Sequence, residues 1–372
     1  MPQIQLSSEF VILTLFEEGM KLTLEDLGYS VEFETQRKDH NLDSFGVGRV
    51  ISEHRERYVV KTAEAEYEGE IIGNLRFSAQ HKSDFPAVGD WVAISEYDDN
   101  KVLIHSVFPR LTSIERQAVG KLGEKQVIAA NIDYALIVQA VDRDFNINRI
   151  ERYLAICSTS GVQAMIIFNK IDLISDRELS DLISSVQKRI ENVPILAISN
   201  VSQTGIIELQ KLIKKGKTYC LLGSSGVGKS SLSNILSGKQ LMKTDAISSS
   251  TNKGRHVTSH RELMVLKDGG ILIDNPGMRE VGITDNTGGL DGVFEIISEL
   301  SSACKFKDCT HTSELGCEVI AAVNRGEIDT SFYTNYMKMQ REKEHFESTI
   351  AEKRKKDKDF GKMIKEHKKN RK

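Results

Sequence analysis

The chain has 372 residues, of which 40% are hydrophobic and 28% charged, and its formal net charge is −3. This length allows two to three domains with real hydrophobic cores, and no stretch approaches the roughly 20 apolar residues that a membrane-spanning helix needs. Because the N-terminus carries Glu9 and no basic region, we expect no secretory signal and a cytoplasmic protein.

The first part of the chain, residues 1–44, mixes apolar and charged residues and contains no motif. Leucines at positions 22, 24 and 27 indicate a short helix. We describe this part as an N-terminal extension to which the sequence assigns no role.

Residues 45–118 contain about five short strand patterns, separated by turn residues such as Gly89 and Pro109. Such a series predicts a small β-barrel of the OB type. Its basic side chains could form an RNA-binding face, or could simply keep the strand edges soluble. They are Arg49, Arg55, Arg57, Lys61, Arg76 and Lys82.

Between residues 119 and 289, apolar strand-like runs alternate with helical patterns. This alternation is typical of an α/β domain, in which helices cover both faces of a mostly parallel sheet.

A phosphate-binding loop (P-loop) lies within this domain, because residues 223–230 read Gly-Ser-Ser-Gly-Val-Gly-Lys-Ser. The glycines allow backbone N–H groups to cradle phosphate oxygens, and the following helix directs its positive end toward them. Lys229 would neutralise the β- and γ-phosphates, and Ser230 would bind Mg²⁺. The predicted phosphate-binding residues are Gly223, Ser224, Ser225, Gly226, Val227, Gly228, Lys229, Ser230 and Ser231.

A guanine-reading motif, Asn169-Lys170-Ile171-Asp172, stands before the P-loop. The carboxylate of Asp172 can accept N1–H and N2–H of guanine, donors that adenine lacks. We expect Asn169 to join this motif to the P-loop and Lys170 to pack over the base. Ser199 ends the next strand pattern, and we expect it to support the base from the loop that begins there, which we call the base loop. Since most GTPases carry the P-loop first, the reversed order predicts a circularly permuted GTPase domain.

A third motif, Asp274-Asn-Pro-Gly277, closes an apolar strand pattern and fits the switch that senses the γ-phosphate. Asp274 would hold Mg²⁺ through water, and the Gly277 N–H would bond the γ-phosphate. The next residue is Met278, which cannot orient a water molecule as a glutamine does. Intrinsic hydrolysis should therefore be slow or use another group.

The polar segment 253–260, between the P-loop and this switch, offers further candidates. Thr258 is the predicted second Mg²⁺ ligand, with Ser259 as its rival. His256 could position the attacking water, or could instead contact RNA or phosphate. Together with Lys229, Thr258 and His256 are the candidate catalytic residues.

Residues 290–348 have helical patterns around a cluster of possible metal ligands, namely Cys304, Cys309, His311 and Cys317. Three thiolates and one imidazole form a complete tetrahedral set for Zn²⁺, with no position left open for catalysis. We therefore expect one structural Zn²⁺ that contributes folding energy to this helical domain. The alternative is three reduced cysteines near a surface histidine.

The C-terminal tail, residues 349–372, carries eleven Lys or Arg and four Asp or Glu, a net charge of +7. A tail of this composition either contacts RNA or forms a solvated terminal helix.

Taken together, residues 45–340 resemble the ribosome small-subunit-dependent GTPase A family. The likeness rests on the base motif, the P-loop, the Lys-Gly-Arg-His run at 253–256, the Asp-x-Pro-Gly-Met-Arg-Glu run at 274–280 and the Cys/His spacing. It implies an OB barrel, a permuted GTPase domain and a helical zinc domain.

The resemblance also implies a Mg²⁺-dependent GTP phosphohydrolase that acts in late maturation of the small ribosomal subunit. The subunit stimulates hydrolysis, and hydrolysis releases the factor. The implied partners are the small subunit, its rRNA, and GTP or GDP, with no membrane, and we expect a monomer. His256 matches the histidine proposed to act in hydrolysis in this family.

Three positions depart from the family pattern. Asn275 replaces the usual threonine, which the backbone contacts there should tolerate. The three threonines that usually follow the histidine are Val257, Thr258 and Ser259 here, so one possible Mg²⁺ ligand is lost. The base loop reads Ser-Asn rather than Ser-Ala, because residue 200 is asparagine.

Two other classes of function fit the sequence. Met278 is compatible with an RNA-binding module that uses GTP only as a structural ligand, which multiple turnover would exclude. A GTPase acting on a protein or membrane partner would show turnover that is indifferent to ribosomal subunits. An ATP-using kinase is disfavoured by Asn169 and Asp172.

Overall fold

The structure, a computed structural model, describes residues 22–54, 57–117, 125–142, 145–238, 261–274, 289–344 and 355. Its N-terminal elements are α1 (Val31–Asp39), β1 (Gly46–His54), β2 (Arg57–Lys61), β3 (Glu66–Ile71), α2 (Gly73–Ser78), β4 (Trp91–Asp98) and β5 (Lys101–Val107). Short 3₁₀ helices cover Glu25–Leu27 and Lys82–Asp84.

The central elements are β6 (Ser113–Gln117), β7 (Lys125–Ala130), β8 (Tyr134–Ala140), α3 (Ile147–Ser160), β9 (Gln163–Asn169), α4 (Asp176–Gln187), β10 (Ile195–Ala197), α5 (Ile206–Leu212), β11 (Thr218–Leu222), α6 (Lys229–Ser237), β12 (Arg261–Val265) and β13 (Ile271–Asp274). The C-terminal helices are α7 (Gly289–Val293), α8 (Glu295–Ser301), α9 (Glu318–Arg325) and α10, which covers 330–344. None of the helices in the described ranges combines the length and apolar character that crossing a bilayer requires.

Strands β1 to β5 form a closed barrel, which confirms the OB-type prediction. They pair in the order β1-β2-β3-β5-β4, and β4 returns to pair with β1. Only the β3–β5 pair is parallel among these five. Alternating strand residues such as Val60, Val92 and Ile104 fill the interior. Gly48 is required there, because a Cβ atom at this position would lie 2.3 Å from Val60.

One end of the barrel is closed by residues that precede β1. Leu27 and Phe33 are buried and pack with Trp91 and Phe108 in one apolar cluster. The rings of Phe33 and Trp91 lie 5.9 Å apart. The described part of the N-terminal extension therefore belongs to the barrel core, which its sequence did not indicate.

The central domain is the predicted α/β layer structure. Its strands run in the order β10-β9-β8-β11-β13-β12, and all neighbouring pairs are parallel except β12–β13. Successive residues of one strand face opposite layers. Ile137 packs with residues of α3 and α4, whereas Leu136 packs with residues of α5 and α6. Helices thus cover both faces of the sheet, as the apolar strand patterns predicted.

The barrel and the central sheet are continuous within the described residues. Strand β1 pairs with β12 in antiparallel register, with Ser52 opposite Glu262. This pairing joins the five barrel strands and the six central strands into one 11-stranded sheet. The barrel is therefore attached to the strand that directly follows the segment 239–260.

Arg49 corrects one of the sequence-based predictions. Its side chain is only 1% exposed, so it cannot belong to an RNA-binding face. The guanidinium donates to the carbonyl oxygens of Leu27, Gly89 and Asn131 and to the hydroxyl of Thr218. Because it links the barrel to the first residue of β11, Arg49 is a structural residue.

The C-terminal helices form a separate small core against α3. Phe294, Ile297, Val319 and Phe332 are buried in it, together with Ala155 of α3. Polar contacts reinforce the docking of α10 on α3, since Arg152 donates to both carboxylate oxygens of Glu342 at 2.7 and 2.5 Å. The helical prediction for this part of the chain is confirmed.

Candidate nucleotide and metal sites

The candidate nucleotide site lies at one edge of the central sheet. The base motif follows β9, the P-loop follows β11, and Asp274 ends β13. Strand β8 separates β9 from β11, and β13 is the next strand along. Because these strands are parallel, their carboxyl ends meet at the same edge, which is where open α/β sheets bind ligands.

The P-loop has the backbone conformation that its glycines allow. Gly223 and Gly228 have φ angles of 146° and 99°, which favour glycine. A Cβ atom on Gly223 would lie 2.3 Å from the carbonyl oxygen of Val138. The Lys229 ammonium donates to the carbonyl oxygens of Gly223 at 2.7 Å and Ser224 at 2.6 Å, so it lies within the curve of the loop.

Two asparagine amides join the base motif to the P-loop. Asn169, only 1% exposed, donates from Nδ2 to the Val227 carbonyl at 2.8 Å. Asn200 donates from Nδ2 to the Gly228 carbonyl at 2.9 Å, and its N–H donates to Oδ1 of Asn169 at 3.3 Å. The Asn200 contact was missed, because the sequence shows only that an asparagine stands in the base loop.

The carboxylate of Asp172 is held by the loop that carries Ser199. The Ser199 hydroxyl donates to Oδ1 of Asp172 at 2.5 Å and accepts from the N–H groups of Val201 and Ser202. Lys170 has a φ angle of 65°, and its ammonium lies 2.9 Å from Oδ2 of Asp142. Asp142 was not among the predicted site residues, since no local motif marks it.

Oxygen donors suited to Mg²⁺ lie next to the P-loop. Ser230 is in the first turn of α6, and Asp274 accepts from the Ser233 hydroxyl at 2.9 Å. A hydroxyl and a carboxylate are the hard oxygen ligands that Mg²⁺ prefers. The predicted residues Thr258, His256 and Gly277, along with Ser259 and Met278, lie outside the described residues.

The α3 side of the P-loop carries a further cation. Arg149, in the first turn of α3, donates from Nη1 to the Ser224 hydroxyl at 3.2 Å. No local motif indicates this contact, because the two residues lie 75 positions apart.

The four predicted metal ligands are brought together in the C-terminal domain. The ligand atoms of Cys304, Cys309, His311 and Cys317 all lie within 4.8 Å of one another. Nδ1 of His311 is 3.7 Å from the Cys304 sulfur and 3.4 Å from the Cys317 sulfur. Three thiols and one imidazole at this spacing fit the donor set and geometry of a tetrahedral Zn²⁺ site.

The orientation of the His311 ring is set by its other nitrogen. Nε2 lies 3.0 Å from the Ser301 hydroxyl, and that hydroxyl donates to the Ile297 carbonyl at 2.6 Å. The hydroxyl must therefore accept from Nε2–H, which leaves the lone pair on Nδ1 directed at the cysteine sulfurs. A hydrogen bond of this kind to the second nitrogen is usual for metal-binding histidines.

The remaining cysteines do not join this cluster. Cys157 and Cys220 are buried beside the central sheet. Burial raises the pKa of the Cys157 thiol to about 12, so it stays protonated and unreactive at neutral pH.

Comparisons with known proteins agree with this architecture. The family model for the RsgA GTPase matches residues 107–284. Small ribosomal subunit biogenesis GTPase RsgA 1 of Bacteroides thetaiotaomicron is 37% identical over 343 residues, which cover 92% of this chain and 96% of that protein. Small ribosomal subunit biogenesis GTPase RsgA 2 of Listeria monocytogenes is 41% identical over 322 residues, which cover 86% and 89%.

Solved structures show the same fold. The crystal structure of YjeQ from Thermotoga maritima matches with a TM-score of 0.59 and 26% identity, over 80% of this chain and 98% of that one. YloQ, described as a circularly permuted GTPase, matches with a TM-score of 0.59 and 25% identity, over 82% and 97%. This chain therefore belongs to the RsgA family of circularly permuted GTPases.

Proposed function

We propose that this protein is a cytoplasmic GTPase that binds the small ribosomal subunit late in its maturation. The subunit stimulates hydrolysis of GTP to GDP and phosphate, and hydrolysis releases the protein. Relatives named as small ribosomal subunit biogenesis GTPases, which align with 92% and 86% of this chain, support the subunit as partner. We expect the protein to act as a monomer.

The observation that best supports GTP as the bound nucleotide is the 2.8 Å hydrogen bond from the Asn169 amide to the Val227 carbonyl. It sets the guanine-reading motif beside the P-loop, so one GTP molecule can contact both. Asp172 would accept N1–H and N2–H of guanine, with Lys170 over the base and Ser199 behind the carboxylate. The residues from Gly223 to Ser231 would hold the phosphates.

Hydrolysis is proposed to need Mg²⁺, held by Ser230 and Thr258 and, through water, by Asp274. When bound, the ion neutralises developing charge on the phosphates. Lys229 supplies a second positive charge at the β- and γ-phosphates, the Gly277 N–H bonds the γ-phosphate, and His256 positions the attacking water. The hydrogen bond from Ser233 to Asp274 supports this role, because it fixes the carboxylate beside α6.

The barrel is proposed to contact rRNA through a surface that we call the α2 surface: Arg76, Phe77, His81 and Lys82. All four side chains are exposed, and Phe77 is 92% exposed on a helix that buries none of its residues. An aromatic ring among cations suits an unpaired RNA base, since the ring stacks on the base and the cations attract phosphates. The basic tail, residues 349–372, would add attraction for RNA.

The C-terminal domain is proposed to hold one structural Zn²⁺. The compact Cys₃His donor set and the hydrogen bond that orients His311 support this assignment. The ion would stabilise the turn between α8 and α9 rather than take part in hydrolysis, because four protein ligands leave no open position.

GTP hydrolysis by the purified protein tests the proposal, measured alone and with isolated small or large ribosomal subunits. Lys229→Ala should abolish turnover. Lys211→Ala, which removes an exposed lysine from α5, should leave it unchanged. Slow basal turnover should rise many-fold with the small subunit and not with the large one.

Two outcomes would contradict the proposal in different ways. Turnover that neither subunit changes would rule out the ribosomal mechanism and leave the GTPase chemistry intact. Binding of GTP without multiple turnover would show that GTP is only a structural ligand.

A further inference from the structure

A groove of about 1180 Å³ lies between the central domain and the C-terminal helices. Its described lining residues include none of the candidate residues of the nucleotide site or the metal cluster. Its central-domain wall includes Cys157 of α3 and Ser184 of α4. Its other wall includes Glu295 and Glu299 of α8 and Phe332 of α10. The groove therefore lies where two domains meet, a common position for ligand and partner sites.

The charged residues in the described lining of this groove are mainly acidic. Two cations are among them, Lys188 and Arg189. Arg189 is already bound, since its guanidinium lies 2.6 Å from the buried carboxylate of Glu151. Six carboxylates line the same groove: Asp181, Glu191, Glu295, Glu299, Glu327 and Asp329.

Four of these carboxylates have no ion-pair partner among the residues that the structure describes. Glu327 pairs with Arg325, and Asp329 lies 3.9 Å from Arg189. No ion pair between described residues involves the other four, and all of them are exposed; they are Asp181, Glu191, Glu295 and Glu299. Within the described part of the chain, their negative field is therefore directed into the groove and the solvent rather than balanced by an ion pair.

Apolar side chains lie between these carboxylates. Val193 and Val293 are partly buried, and Ile296 of α8 is 45% exposed. A surface that combines apolar contacts with a net negative rim suits a peptide segment that carries both apolar and basic side chains. It is unsuited to RNA, because the carboxylates would repel phosphate groups.

We propose that this groove is a protein-docking site, and that its occupant is a Lys/Arg-rich segment of a protein of the small ribosomal subunit. The occupant rests on the proposed function, because a protein already bound to rRNA carries such segments to neutralise phosphates. The protein would thus contact RNA through the α2 surface and a basic protein through the groove.

Charge reversal on one face of α8 tests the groove. Glu295 and Glu299 are one helical turn apart, so Glu295→Lys with Glu299→Lys places two positive charges on the same wall. The double variant should bind small subunits about tenfold more weakly and keep the basal GTP turnover. The neutral pair, Glu295→Gln with Glu299→Gln, should give a smaller loss and shows that folding is not the cause.

A matched control separates local charge from net charge. Glu208→Lys with Asp268→Lys makes the same change of net charge at two exposed positions outside the groove. This control should bind subunits as the unchanged protein does. Equal losses in both double variants would overturn the proposal, because they would show only long-range attraction.

Photo-crosslinking identifies the occupant. A benzoylphenylalanine at position 185, which lines the groove, is irradiated in the complex of the full chain with small subunits. A crosslink to a basic stretch of a ribosomal protein supports the proposal. A crosslink to rRNA, or to residues 345–372 of the same chain, overturns it.

Binding of a synthetic basic peptide tests the groove without the ribosomal subunit. A fluorescein-labelled peptide of four Arg-Val-Lys repeats should bind the full chain in a salt-dependent manner and lose about tenfold in affinity with the Lys double variant. Equal binding to both proteins would overturn the groove as a basic-peptide site. If the unchanged protein binds no subunits at all, the proposed function fails, while this peptide result still decides the chemistry of the groove.

Discussion

At the scale of single residues, the protein itself holds in place the carboxylate that we propose to read the base. Ser199 donates to Asp172 at 2.5 Å and is in turn fixed by two backbone N–H groups of its own loop. A carboxylate that is already oriented loses less entropy when it binds a ligand. This orientation therefore supports the proposed role of Asp172 in selective recognition of guanine.

Asp172→Asn should weaken GTP binding by about 10- to 100-fold. The asparagine amide has one acceptor oxygen and no charge, whereas the aspartate carboxylate can accept both N–H groups of guanine. The ratio of the affinity for GTP to the affinity for ATP should also fall. Titration with a fluorescent GTP analogue, and competition by ATP, measure both effects.

The matched control for this change is Asp176→Asn, which removes an exposed carboxylate from the first turn of α4. It should leave both affinities unaltered. An unchanged affinity in the Asp172 variant would remove this residue from the base site.

Phe77 offers a second prediction for a single side chain. Phe77→Leu keeps an apolar residue and removes the ring, so rRNA affinity should fall about 5- to 100-fold if a base stacks there. Phe77→Tyr should retain most of the affinity. Binding of small subunits, followed by sedimentation, measures the series.

Val201→Ala serves as the control, because Val201 is 83% exposed and lies in the base loop rather than on the α2 surface. Leu and Tyr variants with equal affinities would exclude stacking on Phe77.

At the scale of elements, the loop between α8 and α9 is held by a carboxylate as well as by its cysteines. Glu314 accepts from the backbone N–H groups of Thr310, Thr312 and Ser313. Hydrogen bonds from the Thr310 hydroxyl, then from the N–H groups of Thr310 and Ser313, hold the pKa of Glu314 far below its usual range. In this loop His311 adopts a φ angle of 57°, and its Nδ1 lies 3.4 Å from the Cys317 sulfur.

Removing one of the proposed metal ligands should empty the proposed zinc site and loosen this element. His311→Ala should reduce the zinc content from one ion per chain to nearly none and lower the melting temperature by several degrees. Elemental analysis and thermal unfolding measure the two effects, and chelation of the unchanged protein should reproduce the second.

His105→Ala is the control, because His105 lies in the barrel and forms a hydrogen bond with Ser95 there. The His105 variant should keep the same zinc content as the unchanged protein. A purified, unchanged protein without zinc would contradict the metal assignment.

At the scale of the whole molecule, a strand pairing and side-chain contacts join the barrel to the GTPase sheet. The β1–β12 pairing makes the sheet continuous, and Arg49 adds one hydrogen bond from β1 to Thr218 of β11. Burial lowers the pKa of Arg49 to about 10, which still leaves it charged at neutral pH. Its guanidinium N–H groups donate to the carbonyl oxygens of Leu27, Gly89 and Asn131, which belong to three different segments of the chain.

Arg49→Met should destabilise the protein by about 3 kcal/mol or more, because buried carbonyl oxygens lose their donors. Urea unfolding, followed by circular dichroism, measures the free energy of unfolding.

Arg57→Met, which removes an exposed arginine from the neighbouring strand, should change the free energy of unfolding by less than about 0.5 kcal/mol. If the two variants are equally stable, Arg49 does not link the segments.

The fold class and the family could be predicted because their signals are local. The P-loop, the base motif and the cysteine cluster each occupy a few consecutive or closely spaced residues. Their glycines, carboxylates and thiols have chemical requirements that few other arrangements meet. The positions of Asn200, Arg149 and Asp142 could not be predicted in the same way, because each contacts a residue that is distant in sequence.

By itself, the sequence determined the order of the domains' motifs and the chemistry that each motif can perform, since both depend on residue types at short spacing. Only the tertiary structure decided that Arg49 is internal, that the barrel continues into the GTPase sheet, and that one groove collects carboxylates from the central domain and the C-terminal helices. Arg49 and its partner Thr218 are 169 residues apart. Whether such residues meet depends on how the strands pair and the domains pack, which no local pattern of side chains specifies.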